Sequence, residues 1–560
     1  MRLTRLARLS LPYVAVLPLL WVLSAFILYP TLNTVGLSLS REGVFSLSYH
    51  QEFFTYTPTL RAFRNTIVLG FASVIVAGVI GTALAIFINS FQFWGRQIVD
   101  ILLLIPIMIP GVALTIVFMQ LYGQSGMLTK TVEWVLGLDG PPWRFEGFWA
   151  ILFIHGYTMY VFFYVNVSAA LKRVDLSMVE AAASLGAGRL RTYATVILPL
   201  LTPSFVAASV LTFMAGIGSF AAPSLVGGYR VLSVQILLSK VNNFIEFAAV
   251  QGLMLSVISI VFLGLMRWVE SKRDYALAKP GATLTPKVVT GFWPKVALYS
   301  TVVTIVALLA LPMLTIVLLS FVKQGTWIVS IFPTEFGFDN YLRFFERRRT
   351  YQPFVNSLTM AGMAACMAVM VGAFASYVIV KTRLKIRWLV EVAVLLPWAL
   401  PSSTVAINMI AAFNEPTPFT GSIILVGTYY ILPLTYFTGI LVLVVRSTNA
   451  ALTQLHDSLE EASRSLVAAW SMTFRRITLP LVAPGLLAGG LLGFVLSIDE
   501  YTASALMYTI HNQPISVAMT NAMYDFNIGL SMTYGVLQIL MTFTLIWAIK
   551  RFAGLADFRF

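Results

Sequence analysis

Residues 63–88 read FRNTIVLGFASVIVAGVIGTALAIFI, and the stretch has a twin. Residues 354–380 read FVNSLTMAGMAACMAVMVGAFASYVIV, with Asn356 in the place of Asn65 and Gly372 in the place of Gly81. Each run is long and apolar enough for an α-helix that crosses a bilayer, which takes about 20 residues. The match continues downstream. LIPIMIPG (104–111) returns as LPWALPS (396–402), setting Pro397 and Pro401 over Pro106 and Pro110, all at an offset of 291. Further on the offset becomes 281, which sets Pro480 and Pro484 over Pro199 and Pro203. A repeat on this scale predicts two copies of one design.

The rest of the chain is of the same kind. Of 560 residues 58% are hydrophobic and 11% charged, and the mean hydropathy is +0.85. This excludes a string of soluble domains and predicts an all-α polytopic membrane protein. Twelve spans are expected near 11–36, 64–88, 98–122, 148–170, 197–222, 246–267, 296–321, 355–380, 388–412, 421–445, 478–503 and 530–550. Six spans per copy return the chain to its starting side, so the halves run parallel, related by an axis along the membrane normal. The expected divisions are a first half over 1–274, a polar Pro/Gly-containing linker over 275–294, and a second half over 295–560. The basic start and the apolar run from Leu11 are too long for a signal peptide and carry no small-x-small cleavage site, so the first span is expected to stay. The net charge of +14 follows from topology rather than nucleic acid. With both termini cytoplasmic, 25 of the 37 Lys and Arg fall inside; the run Arg347–Arg348–Arg349 falls outside and breaks the pattern. A lone Cys366 and histidines scattered at 50, 155, 456 and 511 give no disulfide and no metal-ligand spacing.

Two polar segments interrupt this pattern. EAAASLGAGRLRTYATVILP (180–199) and EASRSLVAAWSMTFRRITLP (461–480) each follow the fourth span of a half, in loops over about 175–198 and 456–479. Ser177-x-x-Glu180 and Ser458-x-x-Glu461 read as capping boxes, in which Ser and Glu satisfy each other's orphan amides, so helices should begin near Leu176–Ser177 and Asp457–Ser458. Gly186 permits the left-handed turn that ends the first, and a second helix runs from about Arg189 toward Pro199. Helices of about 8–10 residues are marginal in water and need docking to persist.

These residues resemble the cytoplasmic EAA loop of type I ABC importer permeases, whose pattern runs Glu-Ala-Ala, Gly six residues after the Glu, then Ile-x-Leu-Pro. The first copy matches through Glu180, Ala181, Ala182, Gly186, Leu198 and Pro199, with Val196 at the Ile position. The second matches through Glu461, Ala462, Ile477, Leu479 and Pro480, but has Ser463 for the second Ala and Val467 for the Gly. The resemblance covers both halves and implies the type I importer permease fold. It further implies a bacterial or archaeal plasma (inner) membrane location, two cytoplasmic ATP-binding-cassette ATPase subunits held at the two loops, and an extracytoplasmic solute-binding protein. The chain has no GxxxxGK[ST] phosphate loop, so it is expected to be no enzyme and to bind no cofactor, with ATP and Mg on the partners.

The fusion of two halves, with GSFAAPSLVGGYRVLSVQI (218–236) and SIDEYTASALMYTIHNQPISVAM (497–519), is similar to ferric-iron, polyamine and 2-aminoethylphosphonate permeases. It implies ferric iron or a small cationic or phosphonate solute. Asp499 and Glu500 are carboxylates at membrane depth, and their first-half counterparts Gly218 and Ser219 are neutral. The readings that stay open are a cation-attracting element on the pathway, a carboxylate at the periplasmic mouth, or one that salt-bridges a neighbouring loop. Gln120, Asn166 and Asn408 read as interhelical hydrogen-bonders, and His155, Tyr157, Tyr160 and Phe163 as packing or interfacial residues. The two proline pairs read as breaks in spans three and nine, acting as hinges or as static kinks. A secondary active transporter of major-facilitator-like architecture is the alternative; it gives no reason for the paired loops. A membrane-embedded enzyme lacks a supporting His/Cys/Asp cluster.

Overall fold

The computed structural model describes residues 16–41, 43–271, 286–327, 330–456, 458–466 and 469–552. Among them, eleven helices are long and apolar enough to cross a membrane. They are Val16–Ser38, Thr57–Ser90, Gly111–Leu136, Gly147–Leu171, Thr202–Val226, Ile245–Val269, Phe292–Ser320, Arg348–Lys381, Ile431–Thr453, Phe474–Asp499 and Ile528–Trp547. Counted as one broken span, the pair Arg387–Ala399 and Ser402–Phe413, bent by 115°, makes a twelfth. Of the expected linker, 275–285 lies outside the described residues. Lys287–Val288 pairs in parallel with Phe91–Gln92, and helix has already begun at Phe292.

The repeated residues have matching jobs. Gly81 lets the second helix lie against the backbone of the fourth: an added Cβ would collide with the Tyr160 carbonyl oxygen and come within 2.7 Å of Phe163 Cβ. Gly372 makes room in the second half for a side chain instead, where a Cβ would meet Val444 Cγ1 at 2.8 Å. Asn65 donates its Nδ2 to Arg230 O at 2.9 Å, and Asn356 donates to Gln513 O at 3.1 Å. Beside them Leu232 N–H donates to Thr66 Oγ1 and Ile515 N–H to Ser357 Oγ, each at 2.8 Å. Each asparagine–hydroxyl pair thus ties down two short helices that come after the long helix of the fifth crossing in its own half, Ala221–Val226 with Leu232–Val241 after Thr202–Gly218, and Thr502–Met507 with Ile515–Tyr524 after Leu479–Asp499.

The expected proline breaks are present, and the bounds of one span are corrected. The third span runs as Arg96–Leu102, a 3₁₀ turn Ile105–Met108 and Gly111–Tyr122. Its twin repeats the break with the 3₁₀ turn Leu396–Ala399. The residues before the second prolines, Ile109 (φ −90°, ψ 131°) and Leu400 (φ −102°, ψ 133°), are extended, as the proline ring forces on its predecessor. These are breaks with an extended residue, sharper than kinks. The tenth span begins at Ile431, not 421. Gly421 (φ +63°) and Gly427 (φ +86°) take left-handed turns that end any helix there.

The halves are interlocked by their first spans. Val16–Ser38 lies against the second half's Ser402–Phe413, where Asn33 Nδ2 donates to Ala411 O at 2.9 Å. Reciprocally, Phe292–Ser320 lies against the first half, where Tyr157 Oη donates to Leu309 O at 2.8 Å. One apolar core accordingly contains Leu23 and Ile27 beside Ala406, Ile407 and Phe413, and another contains Ile316 and Leu319 beside Val112, Ala113 and Ile116.

Candidate functional site

The first polar loop forms the helix Leu176–Ser184. Its N-cap is Asp175, whose carboxylate accepts Ser177 N–H at 3.0 Å, so the expected capping box is corrected. An aspartate two residues earlier already satisfies the orphan amide, leaving Ser177 and Glu180 inside the helix and exposed. Gly186 (φ +78°) closes the C-terminus with paired bonds, Gly186 N–H to Ala183 O and Ala187 N–H to Ala182 O. Ala181 is exposed and Ala182 half-buried. In the second loop the helix is Ser458–Ser465, so Ser458 is likewise a helical residue rather than the cap. Position 457 and Val467 lie outside the described residues.

Both loops expose apolar side chains at matching positions, Met178 and Leu185 in one and Leu459 and Leu466 in the other; Leu185 is 88% and Leu466 83% exposed. Glu461 and Ala462 are exposed beside them. Their anchors differ. Val179 and Ile197 join an apolar core in the first copy, whereas at the matching positions Thr478 Oγ1 donates to Glu460 Oε1 at 3.3 Å. Ser463 Oγ and Thr473 Oγ1 bond at 2.7 Å, so the serine that departs from the Ala pattern ties the helix to the chain that follows it. Sequence reasoning missed Glu460, because the buried acid lies one residue before the acid that fits the motif. Each loop then rises through a five-residue π segment, Tyr193–Ile197 or Phe474–Thr478, that also contains Ile477. The Leu-Pro pairs, Leu198–Pro199 and Leu479–Pro480, follow at once: a proline has no N–H for the α ladder, and the turn widens just before it, with Leu479 N–H reaching Phe474 O.

At its far end the helix Leu479–Asp499 delivers Asp499 and Glu500 to a cavity of about 400 Å³. Met214, Gly218 and Ser259 of the first half and Trp398, Ser402 and Tyr436 of the second also line it, so it lies between the halves. The two acids point to equivalent places. Asp499 accepts Gln538 Nε2 at 3.3 Å and lies beside the Gly111 amide. Glu500 accepts Ser402 Oγ at 3.2 Å and Ala503 N–H at 2.9 Å. Gly111 and Ser402 are 291 apart, the first residues of the helices that restart after the two proline breaks. Each carboxylate therefore sits at a helix N-terminus, where unpaired amides and the helix dipole favour a negative charge. Ser259 and Ser497 are buried on the cavity wall and have no hydrogen-bond partner among the described residues.

Of the four candidate pathway residues, the cavity unites Asp499, Glu500 and Gly218. Gly218 stands near Pro401, with 3.6 Å between the position of an added Cβ and Pro401 Cβ. Ser219 is not part of the lining; its Oγ bonds His155 Nε2 at 2.9 Å, and His155 Nδ1 bonds Ser73 Oγ at 2.8 Å. His155 is thus a buried bridge between hydroxyls rather than a packing residue, and Tyr436 holds its position in the second half. Asn166 bonds Phe162 O within its own helix, which corrects the expected interhelical role.

The family described as binding-protein-dependent transport system inner membrane component matches residues 77–275 and again 368–559. The protein named "Probable ABC transporter permease protein y4fN" of Sinorhizobium fredii is 28% identical over 93% of this chain and 92% of its own length. The ferric transport system permease protein FbpB of Actinobacillus pleuropneumoniae is 23% identical over 95% of this chain and 77% of its own. The spermidine/putrescine transport system permease protein PotC of Haemophilus influenzae is 24% identical over 46% of this chain and 96% of its own. With two copies of the family's domain in one polypeptide, this multi-pass chain belongs to the binding-protein-dependent transport system inner membrane components and is a permease subunit of an ABC transporter.

Proposed function

We propose that the chain forms the complete solute pathway of an importer, with the cavity between its halves as the holding site and a cation as the solute. Ferric iron or a small organic cation fits two carboxylates on one wall, whereas an anionic phosphonate would be repelled by them. An extracytoplasmic solute-binding protein delivers the solute. Two cytoplasmic ATPase subunits, carrying ATP and Mg, seat the helices 176–184 and 458–465, and both termini of the chain lie on that side.

The observation that carries this reading is the pair of short helices with matching apolar side chains turned outward. Isolated helices of this length do not persist without a partner, and the exposed leucines give the partner a grip. A push on the second helix travels along Phe474–Asp499 to the acids at its end. Moving Asp499 away from Gly111, or Glu500 away from Ser402, removes a donor from the carboxylate and changes what the cavity offers a cation. Leu185→Asp combined with Leu466→Asp tests the coupling. Both sites are exposed, so the permease should still be made at normal levels, while recovery of the ATPase with a tagged permease falls at least about tenfold. Undiminished ATPase recovery together with normal uptake would reject the docking role.

A further inference from the structure

Arg347, Arg348 and Arg349, the run that breaks the charge pattern, follow a short helix, Asp339–Glu346, at the end of the molecule opposite the coupling loops. That placement follows from Arg348–Lys381, whose far end reaches the second loop: Lys381 Nζ donates to Leu455 O at 3.1 Å. We propose that the segment 338–349 is a docking site for anionic phospholipid, present in the second half and absent from the first.

One face of the short helix is fixed to the protein. Asn340 Nδ2 donates to Ser320 O and Val322 O, at 2.9 and 2.8 Å, using carbonyls left open at the end of a span. Tyr341 Oη bonds Ser320 Oγ at 2.8 Å, and Phe344 is buried against Phe354 and Tyr534. The opposite face carries Phe338, Leu342 and Phe345, which recur at helical spacing and are 67%, 57% and 68% exposed. Phe338 meets Phe321 edge-on at 5.2 Å, so this face adjoins the end of Phe292–Ser320, whose Leu314 and Leu318 are also exposed. An apolar face beside exposed span residues, with its opposite face pinned, has the arrangement of a helix lying in the bilayer interface.

Charge selects the headgroup. Arg343, Arg347, Arg348 and Arg349 are all exposed, and none is in a salt bridge among the described residues. Arg343 donates Nη1 to Gln324 Oε1 at 2.8 Å and Arg349 lines a polar cavity with Gln324 and Asp525, which leaves Arg347 and Arg348 foremost for the phosphate of an anionic lipid, a group arginine binds with two parallel hydrogen bonds. The first half supplies an internal comparison. Its helix Ser48–Thr55 repeats the anchor, with Phe53 buried against Phe63 at 5.5 Å, and exposes Phe54 where the second half exposes Phe345. In place of the arginine run it has Tyr56, Thr57 and Pro58. The first half's exposed arginines, Arg61 and Arg64, stand one and two turns further along, so the scaffold is repeated and the consecutive run of three is not.

The test uses full-length permease in bilayer discs of phosphatidylcholine with phosphatidylglycerol, counting retained lipids by native mass spectrometry. Wild type should retain phosphatidylglycerol in preference to phosphatidylcholine, and added salt should weaken that preference. Arg347→Gln with Arg348→Gln and Arg349→Gln should lower the preference by about tenfold or more, while the triple Lys variant keeps most of it. A wild-type preference insensitive to salt, or an unchanged preference in the Gln variant, would overturn the proposal. So would a Gln variant that keeps the lipid but loses an acidic soluble binding protein, which would reassign the arginines to a protein partner.

Discussion

At Asp499 and Glu500 two neighbouring carboxylates in one polypeptide face opposite halves of the molecule. Asp499 lies beside the first amide of the first half's restarted helix, and Glu500 accepts the hydroxyl of Ser402 at the start of the second's. A carboxylate at a partly buried helix N-terminus gains up to about 2 kcal/mol, which helps offset its desolvation without any counter-ion. The acids are therefore held in place with oxygen capacity left over for a solute. Asp499→Asn with Glu500→Gln keeps the shape and hydrogen-bonding reach but removes both charges. If each charged contact contributes about 1.5–3 kcal/mol, losing both should cost uptake about a hundred- to ten-thousandfold in kcat/KM, with ATPase assembly intact. Uptake of an inorganic or organic cation at wild-type affinity and rate in that variant would remove the acids from the pathway. Sequence alone singled out these two residues, because charge at membrane depth is rare. It did not reveal their partners: Gly111 and Ser402 are ordinary residues, informative only once the proline breaks turn them into helix starts.

At the scale of elements, hydropathy located the spans because lipid imposes one requirement on all of them, a long apolar helix. It failed where apolar sequence is used for something else. Residues 98–110 are as apolar as a span, but prolines and an extended residue stop the ladder there. Residues 421–430 are apolar around two left-handed glycines. The capping boxes failed differently: the motif was present, but Asp175 is a nearer acceptor. The repeated glycines, by contrast, were readable as a pair before any packing was known, and their packing now ranks them. Gly81→Val drives a side chain into the backbone of a neighbouring helix, which cannot yield, and should destabilise by about 1–3 kcal/mol. Gly372→Val meets chiefly the Val444 side chain, which can rotate, and should cost less. Gly264→Val, with open space around it, should cost least. Thermal unfolding of the three purified variants checks the order, and a Gly264 variant as unstable as the Gly81 variant would contradict the packing argument.

At the scale of the whole molecule, the repeat describes two halves that cannot be separated cleanly. Val16–Ser38 completes a core made mostly of second-half residues, and Phe292–Ser320 completes one made with first-half residues. The 281 and 291 offsets cannot reveal this exchange, because a repeat specifies internal likeness and not which copy a span packs against. The exchange has a consequence for assembly. Cutting the chain within 275–285 and co-expressing the pieces should give a permease in which a tag on one half recovers the other, since the interlocked spans need no covalent link. The second half expressed alone should lose the cover on Ser402–Phe413, where Asn33 normally bonds Ala411 O. With Cys366 replaced by Ser and Ala411 by Cys, maleimide labelling should be slow in the co-expressed pair and fast in the lone half. Equal labelling in both would mean that the first span does not shield the second half, and the interlock would have to be abandoned.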